Sequence, residues 1–131
     1  RLLLGRLKML SENGTKDTGI LRYMELTDLK FIPRRMYYIT DTPKGSVRGK
    51  HGHYDDQQYL FCLQGELKVE LHSSKEVRTV WMRAGDVVFL DRMVWSQQEY
   101  LTGNEILLVL CSTAFDKRDY ITDINEITGK K

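Results

Sequence analysis

The sequence predicts an all-β protein, a sandwich or barrel of many short strands, on three observations. Short segments are rich in β-branched and aromatic side chains. One of them, Leu67-Lys68-Val69-Glu70-Leu71-His72, alternates strictly between apolar and polar, the period of a strand with one buried face. Turn signals separate the segments: Pro43-Lys44-Gly45, Gln64-Gly65-Glu66, Ala84-Gly85-Asp86 and Thr102-Gly103-Asn104.

Taken along the chain, Arg35-Met36-Tyr37-Tyr38-Ile39-Thr40 and Tyr59-Leu60-Phe61-Cys62-Leu63 read as strands. So do Val77-Arg78-Thr79-Val80-Trp81 and Asp86-Val87-Val88-Phe89-Leu90. Ile106-Leu107-Leu108-Val109-Leu110 has no polar face and reads as a fully buried strand. No segment has a long helical period. Residues 116–127 are the best candidate for a short C-terminal helix or turn. No internal repeat, linker or low-complexity tract interrupts residues 1–131, which predicts a single domain.

The chain has 131 residues, 41% of them hydrophobic and 29% charged, a composition that excludes a disordered chain. Its net charge of +2 comes from basic residues scattered among acidic ones. That gives no cationic stripe for nucleic acid, although a diphosphate needs only a few local cations. Cys62 and Cys111 each sit in an apolar run and read as reduced core thiols. No apolar stretch approaches the roughly 20 residues that cross a bilayer, so no membrane partner is expected and the cytoplasm is the expected compartment. Gly5, Arg6 and Lys8 interrupt the N-terminal leucines, and no small-residue cleavage site follows. The chain opens on Arg1, which points to a trimmed terminus or to one part of a longer polypeptide.

His51-Gly52-His53 carries the most chemistry. On an extended strand, positions i and i+2 share a face, so both imidazoles point the same way. Directed into a barrel, two rings with ordinary pKa values near 6.5 suit proton transfer at neutral pH. His72 shares the strand face of Lys68 and Glu70 and is expected in solvent. Asp55 and Asp56 fall in the turn after the His strand and are also expected to face solvent.

The spacing of His51, His53, Gln58 and Gly65, followed by Gly85-Asp86 and Trp95, resembles the two motifs of the cupin superfamily. The resemblance implies a small jelly-roll (RmlC-like) barrel with a short C-terminal helix or turn. Metal-binding cupins supply His, His and Glu from the first motif and a further His from the second. Here Gln58 fills the Glu slot, and the last slot falls at Trp95 or Ser96. Two imidazoles and one amide compensate a divalent ion poorly, so no metal and no other cofactor is expected.

Arg35-Met36-Tyr37-Tyr38-Ile39, then Val47-Arg48-Gly49-Lys50-His51-Gly52-His53 with Gln58, resembles the dTDP-4-keto-6-deoxyglucose 3,4-ketoisomerases (the WxcM-like family). Met93-Val94-Trp95, the run Leu107 to Ser112 and the tail Asp119-Tyr120-Ile121-Thr122-Asp123 resemble that family too. The chain departs from its pattern at Tyr54, where Lys is usual, and at Asp91-Arg92, where a Pro-Pro pair is common. The resemblance implies a homodimer with exchanged N-terminal strands. It also implies a dTDP-linked keto-sugar substrate and a place in making deoxyamino sugars for glycans such as lipopolysaccharide or S-layer glycan.

The implied reaction moves a carbonyl from C4 to C3 through an enediolate. His51 is then the base for the carbon-bound hydrogen, and His53 polarises the sugar oxygens or relays their proton. Tyr37 and Tyr38 point to opposite faces of one strand, so at most one faces the pocket. Tyr37 is chosen as the general acid, with Arg35 on its face; the alternative makes Tyr37 core packing and Tyr38 functional. Arg48 is assigned to the diphosphate, Gln58 to a sugar hydroxyl and Trp95 to stacking on sugar or base. A cupin-type sugar 3,5-epimerase, a non-catalytic sugar-nucleotide binder and a metal-dependent dioxygenase are the competing readings.

Overall fold

The structure is a computed structural model that describes residues 7–129. The N-terminal reading above rests partly on Gly5 and Arg6, which lie outside the described residues. The strands are β1 (Leu7–Met9), β2 (Ser11–Thr15), β3 (Gly19–Tyr23), β4 (Arg35–Ile39), β5 (Val47–His53) and β6 (Gln58–Gln64). They continue with β7 (Glu66–His72), β8 (Val77–Arg83), β9 (Asp86–Leu90), β10 (Trp95–Tyr100), β11 (Ile106–Cys111) and β12 (Tyr120–Ile121). One short helix, α1 (Asn125–Thr128), closes the described chain.

Two five-stranded sheets form, in the orders β1-β9-β6-β11-β4 and β12-β5-β10-β7-β8, with a separate β2-β3 hairpin. The strand pairings are antiparallel. One shared core draws on both sheets: Leu60, Val88, Leu107 and Val109 from the first, and Leu67, Val69, Leu71 and Met82 from the second. The alternation in β7 explains why that strand sits as it does. Leu67, Val69 and Leu71 are fully buried, whereas Lys68, Glu70 and His72 take the other face.

In β6, Leu60 and Cys62 enter the shared core. Tyr59 and Phe61 point to the opposite side, where Met24, Leu29 and Phe31 of the preceding loop cover them. The Tyr59 hydroxyl accepts the Lys30 amide at 3.1 Å, which pins that loop to the sheet. This second layer explains why β6 and β11 lack a polar stripe: both of their faces are covered.

The segment 116–127 is more varied than a helix or turn. A 3-10 turn at Lys117–Asp119 leads into β12, which adds an edge to the second sheet before α1 begins. Its short pairing sets Tyr120 opposite His53 and Ile121 opposite Gly52. Cys62 and Cys111 are buried and free.

Candidate active site

β5 is not a regular strand. Gly49 (φ 91°) and Lys50 (φ 60°) both adopt left-handed conformations, and the register against β10 slips between Ser96 and Gln97. This bulge resets the side-chain alternation. Arg48 lies opposite Gln98, and His51 lies opposite Ser96. Both β10 residues are buried on its inward face, so Arg48 and His51 share that face although an odd number of positions separates them. Arg48 remains exposed at the outer end of β5.

The two imidazoles are brought together edge to face, with ring centroids 5.1 Å apart. Tyr120 of β12 packs against both, stacked on His51 at 4.6 Å and edge-on to His53 at 4.8 Å. Between the histidines, Gly52 is needed for space. A Cβ there would sit 2.6 Å from Ile127 Cδ1 and 2.8 Å from the Val94 carbonyl oxygen.

Each ring has its Nδ1 tied to an acceptor. His51 Nδ1 lies 2.9 Å from the Gly49 carbonyl oxygen, and His53 Nδ1 lies 3.1 Å from Asp119 Oδ2. A carbonyl oxygen and a carboxylate accept, so each Nδ1 is the donor, and in a neutral ring this leaves the lone pair on Nε2. Burial lowers the His51 pKa below the ordinary histidine value of 6.5, and neighbouring His53 lowers it further, against the Gly49 hydrogen bond.

Arg35 and Tyr37 occupy the inward side of β4, while Tyr38 is 64% exposed on the other side. The Arg35 guanidinium lies 4.9 Å from the Tyr37 ring centre and 5.1 Å from that of Phe115. Burial raises the Tyr37 pKa far above the ordinary phenol value, with Cys111 and Tyr120 adding to it, so Tyr37 remains a neutral hydroxyl donor. Arg35, His53, Asp56, Phe115 and Tyr120 line a small, partly open space of about 10 Å³, room for one water.

Two expectations are corrected. Asp56 does not face solvent: it is 6% exposed. Its carboxylate accepts the Ser112 hydroxyl at 3.1 Å, the amide and hydroxyl of Thr113 at 3.0 Å each, and Gln58 Nε2 at 2.9 Å. Asp55 does remain exposed. Trp95 is not brought to the histidines. It packs with Ile121 and Ile127 on the outward face of β10, where the C-terminal segment covers it.

Gln58 is buried inward, and its amide nitrogen donates to Asp56 Oδ2 at 2.9 Å and lies 3.7 Å from Cys111 Sγ. His72 stands away from the cluster, 2.8 Å from Glu70 Oε1. Tyr54 donates its hydroxyl to Glu126 at 2.6 Å, tying the turn after β5 to α1.

Asp119, Tyr120 and Asp56 belong to the cluster although the residue pattern assigned them no role. The one signal for the first two was the closing tail, which lies 66 residues from His53 in sequence. Among the described residues, no group of three or more His, Cys, Asp or Glu side chains is arranged to hold a metal ion.

The model of the family described as "FdtA: WxcM-like, C-terminal" matches residues 6–131. A relative from Aneurinibacillus thermoaerophilus, named TDP-4-oxo-6-deoxy-alpha-D-glucose-3,4-oxoisomerase, is 30% identical over 98 residues, which cover 74% of this chain and 70% of the relative. The QdtA sugar 3,4-ketoisomerase from Thermoanaerobacterium thermosaccharolyticum, solved in complex with TDP, superposes with a TM-score of 0.85 at 29% identity over 98% of both chains. A mutant of QdtA in complex with TDP-4-keto-6-deoxyglucose gives a TM-score of 0.85 at 28% identity, over 99% of this chain and 98% of that one. The rmlC epimerase of Mycobacterium tuberculosis, at 11% identity and a TM-score of 0.76 over 87% of this chain and 66% of that one, shares the fold. The architecture is the jelly-roll barrel of the RmlC-like cupins, and with a family model spanning all but its first five residues, this chain belongs to the WxcM-like, C-terminal (FdtA) family.

Proposed function

We propose that this protein is a metal-independent isomerase that moves the carbonyl of dTDP-4-keto-6-deoxyglucose from C4 to C3. The observation that carries the reading is the pair of neighbouring imidazoles, each with Nδ1 held and Nε2 left as a base. The reaction needs a base at carbon, a carrier between two oxygens and a stabilised oxyanion, and it needs no redox partner.

His51 removes the C3 hydrogen, whose electron pair forms the C3–C4 double bond as the C4 oxygen becomes an oxyanion. The neutral Tyr37 hydroxyl and the Arg35 guanidinium stabilise that charge. His53 carries the proton of the C3 hydroxyl to the C4 oxygen. His51, its proton exchanged with water, then protonates C4, and the carbonyl forms at C3. Arg48, exposed on the same face of β5, holds the diphosphate, and the Gln58 oxygen accepts from a sugar hydroxyl. Trp95 braces β10 against the C-terminal segment rather than stacking on the ligand. The partly open space beside His53 is too small for a hexose, so the sugar enters from the half-buried His51 side or displaces the exposed Phe115 ring.

Incubating the protein with the 4-keto sugar nucleotide in deuterated water and following carbon NMR tests this reading. A carbonyl at C3 and deuterium at C4 are expected. A carbonyl that stays at C4 with deuterium at C3 and C5 assigns epimerase chemistry, and a carbonyl that stays at C4 with no deuterium uptake assigns a binder.

The chain acts as a homodimer with exchanged N-terminal strands. Every residue of β2 and β3 is exposed, with Leu21 60% exposed, and Met36 is 63% exposed beside Tyr38 on the first sheet. The apolar side chains that β3 leaves uncovered, Ile20, Leu21 and Tyr23, favour a second copy over water. The single chain pairs β1 with its own β9, Leu7 opposite Val88, and exchange makes the same register between protomers. Sedimentation equilibrium is expected to give twice the 15.4 kDa chain mass, and Tyr38→Glu to lower it toward one. A wild-type monomer would remove the proposal. A nucleotide-sugar substrate and two reduced thiols favour the cytoplasm, with the product feeding deoxyamino-sugar synthesis for surface glycans.

A further inference from the structure

His53 and Asp119 form a pair whose side chains are only 8% and 10% exposed. The carboxylate is itself immobilised. Its Oδ1 accepts the Asp55 amide at 2.8 Å, and its Oδ2 accepts the Asp56 amide at 3.1 Å beside the His53 ring. β12 delivers it there, because Tyr120 pairs with His53 and so places the preceding residue against the end of β5. The opposite ring nitrogen, His53 Nε2, is buried and has no hydrogen-bond partner. Buried polar atoms are nearly always satisfied, so an orphan beside a cavity marks a group held for a partner that arrives with the ligand.

We propose that Asp119 is a positioning residue that sets His53 as the carrier between the two sugar oxygens; this rests on the isomerase reading of the site. The carrier must accept and release a proton at one atom. If the ring were free to change tautomer, a proton could be lost at Nδ1 and the lone pair would leave Nε2. The fixed carboxylate keeps the hydrogen on Nδ1 in both states. After His51 has taken the C3 hydrogen, the proton on the C3 oxygen passes to Nε2. The resulting imidazolium is balanced by the Asp119 carboxylate. Nε2 then gives the proton to the C4 oxygen, and His53 returns to its starting form. No oxidant or second substrate is consumed.

The two histidines therefore act in separable steps. In Asp119→Asn, exchange of the substrate C3 hydrogen with deuterated water is expected to stay within about threefold of wild type, because His51 is untouched. Formation of the 3-keto product is expected to fall about 100-fold, the scale of removing an orienting carboxylate from an imidazole. Asp119→Glu, which keeps the charge, is expected to recover more product than Asp119→Asn. A parallel loss of exchange and product, or no loss of either, overturns the proposal. Nitrogen NMR of the wild-type protein provides a reading that no unfolded variant can obscure: His53 is expected to be protonated at Nδ1, and a resting ring protonated only at Nε2 overturns the proposal. Wild-type protein that neither exchanges nor isomerises would instead defeat the isomerase reading, and the nitrogen spectra would still judge the pairing.

Discussion

Replacing His51 by asparagine is expected to lower isomerisation by at least about 10³-fold, roughly 4 kcal/mol of barrier, while TDP affinity stays within about threefold. Asparagine fills a similar volume beside Tyr120 but supplies no base at the Nε2 position. The affinity should survive because Arg48, assigned to the diphosphate, lies three residues away, across the bulge. Calorimetry with TDP and an NMR product assay measure the two halves. Turnover within tenfold of wild type would move the carbon base elsewhere. The pH profile supplies a second reading of the same group. Burial disfavours the His51 imidazolium, so the ring stays unprotonated to more acidic pH than an exposed histidine. The acid limb of C3-hydrogen exchange, the step that uses His51 alone, is therefore expected below the ordinary value of 6.5, with exchange present above it and lost as pH falls through it. An acid limb above that value would contradict the assignment.

The largest loss of stability is expected at Glu105, far from the chemistry. Its side chain is 1% exposed, and its carboxylate closes the turn between β10 and β11. It accepts the amides of Thr102 at 2.7 Å, Gly103 at 2.9 Å and Glu66 at 3.2 Å, together with the Thr102 hydroxyl. Burial pushes its pKa up, but the hydrogen bonds from Thr102 and Glu66 outweigh that and hold it below the ordinary carboxylate value. The folded form thus favours the charged carboxylate. Its contribution is present above the ordinary range and is lost as pH falls through the lowered value. Glu105→Ala leaves several donors without an acceptor and is expected to cost about 3 kcal/mol in urea unfolding at pH 7. Glu105→Gln keeps one acceptor oxygen and is expected to cost about half as much. A loss below about 1 kcal/mol for the alanine variant would show that water replaces the carboxylate.

Glu105 also illustrates where sequence patterns run out. The turn was legible from Thr102-Gly103-Asn104, but nothing in the pattern marks the next residue as a buried charge. A carboxylate adjoining a buried strand is read as solvated unless the amides that satisfy it are known. Asp56 misleads in the same way. It sits in a polar turn, yet Ser112 and Thr113 are folded over it and supply its hydrogen bonds. Asp119 and Tyr120 carry only local turn and strand signals, and their place beside the histidines comes from one two-residue pairing with β5.

The strands were legible because their period is local. Residues 86–90 match β9 at both ends, and the alternation in 67–72 foretells which side chains of β7 reach the core. The shared face of His51 and His53 follows from the same period, since no bulge separates them. Parity fails one step earlier, at Gly49 and Lys50, where two left-handed residues turn Arg48 onto the histidine face. It is also silent on Trp95, whose face becomes clear only once α1 and β12 cover it. Sequence alone therefore determined the strand framework and the pairing of the two imidazoles, because backbone geometry repeats over neighbouring residues. Only the tertiary structure decided which groups hold those rings, because such contacts join residues that are distant along the chain and no local period encodes them.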